Sequence, residues 1–302
     1  MQIKKSLMIA ALAALLLVPF ASAGFFDFIT GRGTSGDVNV TAQVVSDTAP
    51  VVTAVIFNDS FDLAEGSEKT FNINVTVYDV DGSSDISTAY VNVSNTCDSE
   101  PRNRNAVCTP IAGETGDSEM NYTCDVIIMY WDCDGYWLVN ATGVDNEEKS
   151  NSNDTLTVNV GSLPSLEIYP LAINFGDLNV SDTNKQSLVD NTLNNTGNFD
   201  FTAIEVNSTD LNGTKSGITG FVFPANNFTA LTAYSSPYPC SSGYQLTAGS
   251  SVTASGDSPK RRKETDISQQ SATLSYCIPL VPQLPAQIYN TDTQGPWTIK
   301  AS

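Results

Sequence analysis

Short segments in which apolar and polar side chains alternate recur along this chain, and almost nothing repeats at helical spacing. In Phe71-Asn72-Ile73-Asn74-Val75-Thr76-Val77 the apolar residues fall on one face and Asn72, Asn74 and Thr76 on the other. That is the period of a strand with one buried face. Residues 136–142 repeat it, with Trp137, Val139 and Ala141 opposite Leu138, Asn140 and Thr142, so Trp137 is expected in a core. Further strand-like segments cover 51–57, 70–78, 86–93, 122–131, 136–144 and 155–160, divided by turn signals such as Asp81-Gly82, Ala112-Gly113 and Asp134-Gly135. So many short strands within residues 49–160 predict a β-sandwich.

Gly161-Ser162-Leu163-Pro164 reads as a linker. Residues 161–302 form a second all-β unit, with strands expected at 166–175, 186–193, 199–206, 271–280 and 297–300. Its middle, 234–258, is rich in Ser, Gly, Pro and Tyr and reads as a long irregular loop. The fold class expected is therefore all-β, two tandem β-sandwich domains at 49–160 and 161–302.

Residues 1–23 read as a signal peptide. Lys4 and Lys5 precede an apolar run over 7–20, and Ala21-Ser22-Ala23 offers small residues for cleavage. An N-terminal arm, 24–48, follows. Its segment 36–44 alternates like a short strand. No later stretch is apolar enough to span a bilayer, so the mature protein is expected to be secreted, extracellular or at the cell surface.

Composition removes whole classes of chemistry. The chain has no His, so no Ser-His-Asp or Cys-His nucleophile and no imidazole metal site can form. Thirty-three acids against fourteen bases give a formal charge of -19, which argues against nucleic acid and anionic membranes as partners. Acid pairs could run glycoside hydrolysis without His, but in so acidic a chain such pairs arise by coincidence, and no enzyme is expected.

Six cysteines in an exported chain point to disulfides, and no C-x-x-C knuckle suggests metal. Residues 106–111 and 122–127 look like hairpin arms that set Cys108 opposite Cys124. Cys97 and Cys133 then form an outer pair, and Cys240 pairs with Cys277. Twelve N-x-[ST] acceptors occur, at Asn39, Asn58, Asn74, Asn92, Asn121, Asn140, Asn153, Asn179, Asn194, Asn207, Asn212 and Asn227. Several fall on the polar face of an expected strand, as a glycan coat requires.

Asp79, Asp81 and Asp85 follow one strand, and Asp145, Glu147 and Glu148 follow another. If both strands finish at the same end of a sandwich, Asp79, Asp81, Asp85, Asp145 and Glu147 could hold Ca²⁺ through oxygen ligands. The plainer alternative is acid-rich turns facing water. Lys260-Arg261-Arg262-Lys263 is the only basic run. It reads as a solvated loop, with a trypsin-like processing site or a docking point for an acidic neighbour as sharper alternatives.

The string Val77-Tyr78-Asp79-Val80-Asp81-Gly82-Ser83-Ser84-Asp85-Ile86, with Asn121-Tyr122-Thr123-Cys124 and Gly135-Tyr136-Trp137-Leu138-Val139-Asn140-Ala141-Thr142, resembles immunoglobulin-like or PKD-like domains of exported archaeal surface proteins. Ile173-Asn174-Phe175-Gly176-Asp177-Leu178 and Asn194-Asn195-Thr196-Gly197-Asn198 resemble the β-sandwich that follows such domains in those proteins. The resemblance implies a surface protein and supplies no catalytic residue. The expected function is that of a non-catalytic, N-glycosylated structural or adhesion protein, whose partners are other copies of itself, surface proteins or polysaccharide. Two alternatives stand beside it. One is a filament subunit in which segment 36–44 completes a sheet in the next copy. The other is a calcium-dependent carbohydrate-binding module using Tyr234, Tyr238 and Tyr244.

Overall fold

The computed structural model describes residues 47–97, 99–233 and 240–302. The signal peptide, most of the arm, Asn39, Tyr234 and Tyr238 lie outside the described residues. Within them the chain is all-β, with three short 3-10 turns and no α-helix.

The first nine strands are β1 (Val51–Ile56), β2 (Ser60–Phe61), β3 (Lys69–Tyr78), β4 (Ile86–Cys97), β5 (Glu100–Val107), β6 (Thr109–Thr115), β7 (Glu119–Ile128), β8 (Gly135–Asp145) and β9 (Ser150–Val160). They form two sheets, β1-β3-β7-β6 and β2-β9-β8-β4-β5. The alternation in β3 sends Phe71, Ile73, Val75 and Val77 inward against Tyr122, Val126 and Ile128 of β7 and Val91, Val93, Trp137 and Val139 of the other sheet. Trp137 is fully buried, and its indole N–H donates to the Cys133 carbonyl at 2.9 Å, so its one polar atom is satisfied. Burial of each such large side chain contributes roughly 1.5–3 kcal/mol.

The chain changes sheets between β5 and β6. Cys108 sits at that crossing, its amide still bonded to the Ala89 carbonyl of the sheet being left, and its disulfide to Cys124 fastens it to β7. The Cys97–Cys133 bridge ties the end of β4 to the loop before β8.

The remaining strands are β10 (Leu166–Tyr169), β11 (Thr183–Gln186), β12 (Asn191–Asn195), β13 (Ile204–Asn207), β14 (Leu211–Gly213), β15 (Val222–Phe223), β16 (Thr229–Ala233), β17 (Tyr244–Gln245), β18 (Ser251–Gly256), β19 (Ser271–Leu280), β20 (Tyr289–Asn290) and β21 (Thr298–Ala301). The main sheet runs β10-β12-β19-β16-β18-β13-β21, with a small β15-β14-β20 sheet beside it. Their core gathers Leu193, Ile204, Phe228, Leu274, Tyr276 and Ile278, and Trp297 packs edge-on to Phe228. The Cys240–Cys277 bridge joins this core's edge. The stretch 234–258 is less irregular than its composition suggests. Its last third is β18, which pairs with β13 from Ile204↔Ala254 to Asn207↔Ser251. Long-range pairing there overrides weak local strand preference.

Residues 161–164 are not a free tether. The side chain of buried Asn198 accepts from the Leu163 amide at 2.6 Å and donates to the carbonyls of Asp132 and Gly161 at 2.9 and 3.0 Å. Beside this clip Arg104 makes a two-pronged pair with fully buried Asp132, at 2.8 and 2.6 Å, and reaches Glu264 at 3.0 Å. Arg102, 2% exposed, also bonds Glu264.

The basic run belongs to the same region, which corrects the reading of it as a solvated loop. Arg261 is buried, with its amide on Asp200 at 2.7 Å. The Arg262 guanidinium lies 4.1 Å above the Trp131 ring, and the Lys260 ammonium donates to the Phe201 carbonyl at 2.7 Å. The local sequence is hydrophilic, but its charges and stems find partners far away in the chain. Limited trypsin digestion of the folded secreted protein is therefore expected to leave residues 260–263 uncut under conditions that cleave exposed lysines outside the strands such as Lys215. Rapid cleavage after Arg261 or Arg262, read by peptide mass spectrometry, would show that the segment is open.

Candidate metal centre

The turn after β3 and the turn after β8 meet at one end of the two sheets that β1 to β9 form. Ile86, the first residue of β4, lies opposite Asp145, the last of β8, so residue 85 is brought beside the β8–β9 turn by strand register. The Asn146 amide bonds the Asp85 carbonyl at 2.9 Å, and the Asn146 side chain donates to the Ser84 carbonyl at 3.1 Å.

Asp79 and Asp145 play matching roles in their turns. One oxygen of Asp79 accepts from the Asp81 amide at 2.8 Å; one oxygen of Asp145 accepts from the Glu147 and Lys149 amides at 3.0 and 2.7 Å. Each carboxylate is 1% exposed, and in each the second oxygen has no hydrogen-bond partner. A buried carboxylate oxygen left unpaired is costly and calls for a compensating charge. The plainer alternative, acids facing water, does not hold for these two.

Carboxylate oxygens of Asp79, Asp81 and Asp85 lie within 4.8 Å of one another, as do those of Asp47, Asp85 and Glu147. Asp47 was not expected from the sequence, because it falls in the stretch read as an arm. Thr48 beside it donates its amide to Asp81 at 2.7 Å, and Lys149 pairs with the Asp47 carboxylate and donates to its carbonyl at 2.6 Å. The one sequence hint was an acid two positions ahead of Ala49-Pro50, just before the first strand.

The crowding shows in Asp79 and Glu147. Burial pushes the Asp79 carboxyl above its ordinary range, with the charges of Asp85, Asp81 and Asp145 adding to the effect against the opposing Asp81 amide bond. The negative charge of Asp85 raises Glu147 in the same direction. Like charges gathered this closely favour either protons or a cation.

The donor set fits a hard cation. All candidate ligands are carboxylate oxygens; the chain has no imidazole, and all six cysteines are in disulfides. Oxygen-only ligation suits calcium, with magnesium a poorer match because it demands strict octahedral geometry and retains its waters. Elsewhere, Tyr244 is exposed in the second half. Of the acceptor asparagines, Asn58, Asn74, Asn179 and Asn207 are exposed, whereas Asn92, Asn121, Asn140, Asn153, Asn194, Asn212 and Asn227 are half-buried.

No protein-family model matches the chain, and no curated protein is similar to it. Among solved structures, the secreted serine protease VesC from Vibrio cholerae aligns at 8% identity over 78% of this chain and half of its own length, with a TM-score of 0.21. The chain thus spans about half the length of that protein, and a likeness so slight carries no argument about fold or activity.

Proposed function

We propose that this is a non-catalytic, N-glycosylated structural or adhesion protein of the cell surface or extracellular space, built from tandem immunoglobulin-like sandwiches, the first of which binds calcium. The observation that carries the reading is the pair of buried carboxylates, Asp79 and Asp145, each with an oxygen left unpartnered beside other acids. Weak oxygen sites of this kind fill at the calcium levels found outside cells. Three disulfides and acceptor asparagines on strand faces support the same compartment. Without His the chain has no His-dependent nucleophile or metal site to offer.

Two measurements test this. Calcium at about a hundred times its dissociation constant is expected to add about 2.7 kcal/mol to the chelator-stripped protein, raising its melting temperature by about 5–10 °C, with magnesium much less effective. A melting curve indifferent to calcium would remove the calcium part. Antibody labelling of intact cells, with glycopeptide mass spectrometry of the recovered protein, tests the rest. Unmodified protein found only inside cells would overturn it.

One further observation favours a filament subunit as the second reading. Strand β10 is an open sheet edge among the described residues, and Tyr169 at its end and Leu171 just beyond, with Leu188 and Val189, are exposed apolar side chains. Such an edge invites strand addition. Negative-stain images of the purified protein showing only dispersed particles would exclude it.

A further inference from the structure

We infer that the carboxylate cluster takes two divalent cations that share Asp85, an inner one on Asp79, Asp81 and Asp85 and an outer one on Asp47, Asp85 and Glu147. This rests on the calcium reading above and adds its stoichiometry and its control.

Calcium binds oxygen at about 2.3–2.6 Å, so two ligand oxygens on opposite sides of one ion are about 5 Å apart. Oxygens that all lie within 4.8 Å of one another can reach one such ion together, and the cluster holds two sets of three that meet this condition, with Asp85 in both. A carboxylate has two oxygens and can bridge neighbouring ions.

Charge points the same way. Six acids gather here, Asp47, Asp79, Asp81, Asp85, Asp145 and Glu147, against one ammonium, Lys149. A single divalent ion leaves three negative charges unbalanced, and a second leaves one. The buried, unpartnered oxygens of Asp79 and Asp145 show that the existing partners do not satisfy the cluster.

The two positions differ in competition. Lys149 is already paired with Asp47, so an outer ion must displace an ammonium. Within the inner triad the donors are uncharged, the amides of Asp81 and Thr48 and the Asn146 side chain, which reaches Asp85 at 3.3 Å, and no side-chain cation pairs with it among the described residues. The inner position therefore fills first, and Lys149 sets the concentration at which the outer one follows. The outer ion then ties residue 47 to the turns after β3 and β8.

Isothermal titration of the chelator-stripped, full secreted protein with calcium chloride tests this. Two equivalents are expected, the second weaker. Asp47→Asn removes only the second, Asp85→Asn weakens both, and Lys149→Met tightens the second about two- to fivefold, the range of an exposed ion pair. Asp47 and Lys149 lie outside the strands, so these two variants leave the sheets' hydrogen bonds in place, and an unchanged circular dichroism spectrum verifies it. One equivalent, with Asp47→Asn indistinguishable from the parent, overturns the second ion and leaves the calcium reading standing. No heat of binding in any form overturns both.

Discussion

Replacing Asp132 with Ala is expected to cost about 3–5 kcal/mol of folding stability, the toll of leaving a buried charge without its partner. The carboxylate is fully buried and receives both prongs of Arg104, and one of its oxygens also accepts the Met129 amide at 2.8 Å, closing the turn before β8. Its removal strands the Arg104 guanidinium, only 12% exposed, with half-exposed Glu264 as its remaining acidic partner. Urea unfolding should show a lower midpoint with an unchanged slope. Arg104→Met combined with Asp132→Leu should recover part of the loss, because an apolar pair of similar volume no longer needs ionic partners. A loss below about 1 kcal/mol for Asp132→Ala would place the pair with ordinary surface ion pairs.

The same network has an acid limit. Glu264 is held below the usual carboxylate range by its hydrogen bond to Arg104, with the Arg102 charge contributing. A depressed carboxyl contributes its stability fully above its unfolded pKa and loses it as pH falls through the folded value. The contribution is screened because the side chain is 49% exposed. Glu264→Gln should therefore flatten the acid limb of the stability curve while changing little at neutral pH beyond the loss of the pair.

These contacts mark where local sequence ceases to be informative. The strands β3 and β8 were legible because facing in a strand is set residue by residue, and Trp137 could be assigned to the core from its neighbours alone. The meeting of Asp79, Asp81 and Asp85 with Asp145 and Glu147 followed from asking which strand ends share one end of a sandwich. Asp47 did not follow, since nothing near it in the chain signals that Thr48 and Lys149 hold it there. Residues 260–263 were misread for a related reason. Four consecutive basic residues look solvated until Trp131, Asp200 and Phe201, more than fifty residues away, supply a ring, a carboxylate and a carbonyl. Strand β18 was hidden in a Ser- and Gly-rich stretch because its order comes from β13 rather than from its own side chains.

Gly197→Ala is expected to be the most damaging single methyl group that can be added to this protein's joint. A Cβ at Gly197 would stand 1.8 Å from the Leu163 carbonyl oxygen and 2.9 Å from the Ser165 amide nitrogen. Both are backbone atoms, so no side-chain rotation relieves the clash. The neighbours are equally fixed: Asn195 accepts the Gly197 amide at 2.9 Å, and Thr196 bonds Glu65 and Ser165 at 3.0 and 3.1 Å. Moving the 194–198 turn away from residues 163–165 would also break the Asn198 clip to Asp132 and Gly161, leaving buried amide groups unpaired. The expected loss is about 4 kcal/mol or more, at the far end of what single substitutions do, seen as a collapse in soluble secreted yield or a fall in melting temperature of roughly 10 °C. Gly116→Ala is the control, since its nearest contact would be an ordinary 3.7 Å to the Glu119 side chain, and it should change stability by less than about 1 kcal/mol. Equal behaviour of the two variants would mean that residues 163–165 are not held against the 194–198 turn, and that the two cores are joined more loosely than the Asn198 contacts require.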